Sequence, residues 1–134
     1  MTKTKIIYRG DLRTEAVHES GAVLATDAPK DNQGKGEMFS PTDLLAVALA
    51  SCMLTLMGIA ARKLGIDLKG TTAEVEKEMH VEPRRIGRLI VRVRSPLMPP
   101  PEARAKLEQV ALTCPVQASL HPEIKQEIDF VWGL

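Results

Sequence analysis

The run Ser40-Pro41-Thr42-Asp43-Leu44-Leu45-Ala46-Val47-Ala48-Leu49-Ala50-Ser51-Cys52-Met53, carried on by Leu54-Thr55-Leu56-Met57-Gly58-Ile59-Ala60-Ala61-Arg62-Lys63-Leu64-Gly65, decides how this chain folds. Ser40 is a good N-cap, Pro41 suits the first helical position, and Asp43 completes a Ser-x-x-Asp capping pattern. At the far end Arg62 and Lys63 favour a helix C-terminus and Gly65 closes it. Between these signals, Leu44 to Ala61 is eighteen residues without a charge. A bilayer crossing takes about 20 predominantly apolar residues. Here Ala46, Ala48, Ala50, Ser51, Thr55, Gly58, Ala60 and Ala61 are small, and a helix apolar on every side is also what a helix buried in a soluble domain looks like. The expectation is therefore a buried helix and no membrane. One small domain has too few strands to cover all its sides, so a second copy of the chain is expected to complete the cover, as a two-fold homodimer.

Outward from this helix, the flanks are β-leaning. Ile6 to Tyr8, Leu12 to Val17 and Ala22 to Thr26 read as three strands of an antiparallel meander, with turns at Arg9-Gly10-Asp11 and Ser20-Gly21. Asp27 to Phe39 is the one long polar loop, and loops of this kind are more often functional than accidental. On the other side, Thr72 to Val81 alternates, with Ala73, Val75, Lys77 and Met79 on one face and Glu74, Glu76, Glu78 and His80 on the other. Ile86 to Arg94 alternates too, so the pair predicts a hairpin whose outer face sets Glu against Arg. Glu102 to Leu112 reads as an amphipathic helix with Ala105, Leu107, Val110 and Ala111 near helical spacing. A short turn or helix to Leu120 and a last strand over Ile124 to Trp132 follow. Three strands, a long helix, two strands, a helix and a strand make an α+β domain.

The 134 residues fit one domain, 1–134, and 44% hydrophobic residues suffice for a core that the 3% aromatics leave to Leu, Ile, Val, Met and Ala. A net charge of +1 removes the electrostatic argument for nucleic acid. The arginines between Arg84 and Arg94 face the glutamates of the neighbouring strand and have no interleaved aromatic platform. Gln33-Gly34-Lys35-Gly36 lacks the ending of a phosphate-binding loop, and His18, His80 and His121 show no metal-ligand spacing with either cysteine. No metal and no cofactor is expected. Met1 to Lys5 has no apolar stretch, so no signal peptide is visible and a cytoplasmic, thiol-reducing home is expected.

Two cysteines cannot make a disulfide scaffold, but one bridge or one redox pair remains open. Cys52 lies well beyond the first turn of the long helix, where the helix dipole no longer ionises a thiol. By burial alone it reads as a small core hydrophobe. Cys114 precedes Pro115; at the N-cap of a short helix its thiolate would be favoured by backbone N–H groups, making it the more easily ionised of the two. A capping residue without chemistry is the equal alternative.

Ser40-Pro41-Thr42-Asp43-Leu44-Leu45 and the Ala-rich run to Ala50-Ser51-Cys52-Met53 resemble the helix signature of the OsmC/Ohr family, thiol-dependent peroxidases named for osmotic induction and organic hydroperoxide resistance. Thr113-Cys114-Pro115-Val116, continuing to Ser119-Leu120-His121-Pro122, resembles that family's second cysteine motif. The resemblance covers nearly the whole chain. It implies antiparallel sheets wrapped around a long central helix in an intertwined homodimer. It also implies a peroxiredoxin-like activity: Cys52 attacks an organic hydroperoxide and becomes a sulfenic acid, Cys114 resolves it to a disulfide, and an external dithiol reduces that disulfide. The family pattern places a glutamate ten residues before the peroxidatic cysteine, working with an arginine from the N-terminal strands. This chain has Thr42 there; Glu37 is the substitute acid, with Asp43 accounted for by capping. Arg13 is the candidate arginine and Arg9 the reserve. An OsmC-like small-ligand-binding or redox-sensing module with little turnover is the alternative function.

Overall fold

The computed structural model describes residues 1–134. The chain forms two compact units, Met1–Leu45 and Ala46–Leu134. In the first, β1 (Thr4–Gly10), β2 (Arg13–His18) and β3 (Val23–Thr26) form an antiparallel sheet in the order β1-β2-β3. The expected meander is present. The β1–β2 turn puts Gly10, Asp11 and Leu12 at φ 87°, 52° and 65°. Glycine takes such a conformation freely and Asp at modest cost, whereas a leucine there is strained.

The polar loop that follows is folded on itself. A single 3-10 turn spans Lys30–Asn32, and Gly36 N–H donates to Ala28 O at 3.2 Å. Gly34 lies so close to Ala28 that a Cβ there would sit 1.7 Å from the Ala28 carbonyl oxygen. That glycine is explained by a close backbone approach. The base of the loop is closed by a Thr26–Phe39 bridge and by Asp27 N–H donating to Phe39 O at 3.0 Å.

Helix α1 (Pro41–Lys63) begins in the first unit with the predicted reciprocal cap: Asp43 N–H donates to Ser40 Oγ at 3.1 Å and Ser40 N–H to Asp43 Oδ2 at 2.9 Å. It ends in a Schellman motif, with Ile66 N–H on Ala61 O and Gly65 N–H on Arg62 O, Gly65 being at φ 71°. By length and composition α1 is apolar enough to cross a membrane. Its buried residues, Ala46, Leu49, Ala50, Met53, Met57, Ala60 and Ala61, recur at helical spacing and so take one face, while Val47 and Ile59 stay exposed.

The second unit carries β4 (Thr72–His80), β5 (Arg85–Ser95) and β6 (Lys125–Trp132), with α2 (Pro101–Ala111) and α3 (Pro115–Ser119) between β5 and β6. β4 and β5 are the predicted antiparallel hairpin. β6 pairs with β5 in parallel, so the expected all-antiparallel arrangement is corrected at this strand. The reason is connection length: two helices intervene, and a crossover of a dozen or more residues is what a parallel pair needs. Parallel β6 also adds acids to the Glu–Arg face. Arg88 meets Glu78 at 2.6 Å and Glu127 at 2.9 Å, and Arg92 meets Glu76 at 3.5 Å. The inner face supplies the core: Ile86, Leu89, Val91 and Val93 cluster with the buried face of α1 and with Leu107 and Ala111 of α2. Ala105, expected on the apolar side of α2, is exposed.

Candidate functional site

Cys52 and Cys114 both belong to the second unit, and the fold brings them together. Cys52 is half-buried and packs against the apolar cluster that contains Cys114. Both are free thiols, and Cys52 is near enough to influence the ionisation of Cys114. Cys114 is the N-cap of α3 as predicted, its Sγ accepting the Gln117 N–H at 3.2 Å. The expected consequence is overturned. Burial, the largest influence, pushes the Cys114 thiol above its ordinary value, and the neighbouring Cys52 adds to that rise; the Gln117 and Val116 N–H groups pull the other way and lose. Cys114 therefore waits as a neutral thiol. A cap argument on five residues of helix was outweighed by the removal of the sulfur from water, which no local pattern reveals.

A groove of about 280 Å³ lies in the second unit between the end of α1 and α2. Leu56, Ile59, Ala60 and Val110 line it, with Lys63 and Lys106 among its cationic residues. Leu56 lies one turn after Cys52, and Thr113, also in the lining, directly precedes Cys114. The arrangement suits a small apolar molecule.

The first unit gathers the charges. Arg13, first residue of β2, reaches Asp27 Oδ2 at 3.3 Å and Glu37 Oε2 at 3.1 Å, both through Nη2. Arg13 and Glu37, chosen from sequence as partners, do meet. Arg9, the reserve, is paired with Glu15 at 2.8 Å. Asp43 is occupied by the cap, and Thr42 Oγ1 lies 3.2 Å from Ser40 Oγ. Asp27 was not foreseen. It is 1% exposed, and its carboxyl is held below the usual range first by the Glu37 N–H at 3.1 Å, against the opposing effect of burial, and then by Arg13. The paired acids raise Arg13 further above its already high value, Glu37 more than Asp27. No group of three or more His, Cys, Asp or Glu is placed to hold a metal ion.

Residues 34–129 match the family model for OsmC-like proteins. The chain belongs to the OsmC-like family. A crystal structure from Psychrobacter arcticus 273-4, described in terms of osmotic stress induction and detoxification response, is 50% identical, with a TM-score of 0.93 over 97% of this chain and 96% of that one. The organic hydroperoxide resistance protein OsmC of Legionella pneumophila shares the fold at 16% identity, with a TM-score of 0.77 and coverage of 98% and 96%. A Vibrio cholerae structure named for organic hydroperoxide resistance, with captopril in one of its active sites, does so at 21% identity, a TM-score of 0.71 and coverage of 97% and 90%. No curated protein matches the chain. For this OsmC-like chain, the signal that would have found Asp27 is weak: it is one of several acids in a polar loop, distinguished only by directly following Thr26, the strand residue that pairs with Thr14.

Proposed function

We propose that this OsmC-like chain is a thiol-dependent peroxidase that reduces organic hydroperoxides, cytoplasmic and homodimeric, acting as one domain with no cofactor. The observation that carries the reading is the meeting of Cys52 and Cys114 in the second unit, where Cys52 packs against the apolar cluster that holds Cys114. The Cys52 thiolate attacks the terminal peroxide oxygen; the O–O bond breaks, the alkoxide leaves and takes up a proton from solvent as the alcohol, and Cys52 carries a sulfenic acid. The Cys114 sulfur then attacks the sulfenic sulfur, water leaves, and a disulfide forms. An external dithiol returns both sulfurs to thiols by exchange. A neutral Cys114 fits the second role, because the resolving thiol must stay unreacted until the first sulfur is oxidised. Arg13, with Glu37, is the proposed charged partner of this chemistry, a cation being the usual means of favouring a thiolate.

The dimer is supported by uncovered apolar surface in each unit. Ile6, Tyr8 and Leu24 share one face of the first sheet by register and alternation, and all are exposed; so are Val47 and Ile59 on α1. Monomer at micromolar concentration in sedimentation would remove this part of the proposal.

Purified protein is expected to consume cumene or t-butyl hydroperoxide with a dithiol, and Cys52→Ser to abolish this. Cys114→Ser is expected to leave a sulfenic acid that dimedone traps. No rate above free thiol defeats the proposal. Slow, uniform oxidation in place of a rapid loss of two mass units would favour the ligand-binding or redox-sensing module, for which the groove is equally suited.

A further inference from the structure

Arg13 has two acidic partners of opposite character. Asp27 is held at one carboxylate oxygen and through its backbone: its side chain is 1% exposed, Oδ2 accepts from both Arg13 and the Glu37 N–H, and its own N–H donates to Phe39 O at the closed base of the loop, while Oδ1 is buried without a hydrogen-bond partner. The Glu37 side chain is 55% exposed and reaches the same Nη2 at 3.1 Å. Ion pairs of the second kind hold geometry weakly, since water competes for both members and two long side chains must be ordered. An acid already immobilised by folding has no such ordering left to do. Arg13 itself is one-third exposed, so its guanidinium has donors in reach of a further oxyanion.

We propose that Asp27 is a positioning residue: it orients the Arg13 guanidinium and pins the Glu37 backbone, leaving the Glu37 carboxylate as the partner that exchanges with an incoming oxygen ligand. What Arg13 serves rests on the peroxidase reading above; what holds Arg13 does not.

Guanidinium rotation of Arg13, followed by nitrogen-15 NMR, tests the placement without reference to activity. Restricted rotation is expected in the unsubstituted protein and in Glu37→Gln, and free rotation in Asp27→Asn. Restriction that persists in a folded Asp27→Asn overturns the proposal. Should Asp27→Asn not fold, Glu37→Gln decides: free rotation there shows that Glu37 is the holder and overturns it, while retained restriction supports it. Peroxidase kinetics then read the consequence. Asp27→Asn is expected to lower kcat/KM about 100-fold, the scale of a misplaced catalytic partner, and Glu37→Gln to lower it less. In an Arg13→Ala background, Asp27→Asn is expected to add no more than about twofold, because a residue that acts through another has nothing left to act on. Multiplicative losses overturn the positioning role. An unsubstituted protein without peroxidase activity removes the proposed function, and the rotation measurement alone then decides what holds Arg13.

Discussion

The two three-stranded sheets of this protein have similar strands and opposite fates. β5 of the second sheet buries Ile86, Leu89, Val91 and Val93 against α1 and α2. The first sheet leaves Ile6 61% and Tyr8 64% exposed and buries no large apolar side chain. What it does bury is polar: Thr26, Asp27 and, at the start of α1, Ser40. One unit is thus held by apolar packing and carries the thiols. The other is held by strand pairing, a closed loop and the ion pairs of Arg13 with Asp27 and Glu37. The teaching is that the two halves of the proposed chemistry rest on different physics and are expected to respond to different perturbations.

The largest separation is in core truncation. Leu89→Ala is expected to cost about 2–5 kcal/mol in urea unfolding, and Ile6→Ala within about 0.5 kcal/mol if its face stays in water. A larger Ile6→Ala loss that deepens on dilution would show that another copy covers the first sheet, which sharpens the comparison into a statement about assembly. Next comes the loop. Gly34→Ala is expected to cost about 1–3 kcal/mol, because the added methyl meets the Ala28 carbonyl and backbone must shift; an unchanged midpoint would break the picture of a tightly closed loop.

pH separates the regions in opposite directions. Asp27 lies below its ordinary value of 3.8, so the unfolded chain takes up its proton first. Its contribution is complete above that pH and is lost as pH falls through the folded value. Cys114 lies above its ordinary value of 9.0, so the unfolded chain loses its proton first, and that contribution is present below pH 9.0 and lost as pH rises. Thermal midpoints are expected to fall less steeply in acid for Asp27→Asn and less steeply in alkali for Cys114→Ser. The same slopes for variant and parent would refute both assignments. The smallest effect is on the solvated Glu–Arg face, where Glu76→Gln is expected to move stability by less than about 0.5 kcal/mol despite its 3.5 Å pair with Arg92.

Much of this was legible along the chain. The cap at Ser40, the Schellman end at Gly65, the β4–β5 alternation and the Cys114 cap are contacts between near neighbours or repeats of period two or 3.6, so the residue order carries them. Arg13 and Glu37 were picked out because a cation and an acid were needed, and they meet. Asp27 was missed because its distinction is burial, and a loop acid looks the same in sequence whether water reaches it or not. The parallel pairing of β6 was missed because two helices leave its direction open until it docks.

By itself, the order of residues determined most of the elements and their ends, since these follow from backbone geometry and local hydrogen bonding. Only the tertiary structure decided that burial raises the Cys114 thiol, that Asp27 joins Glu37 on Arg13, and how β6 runs. Each of those depends on how far a group is taken out of water by segments distant in the chain, or on which of two alignments buries more, and neither quantity exists until the chain has packed.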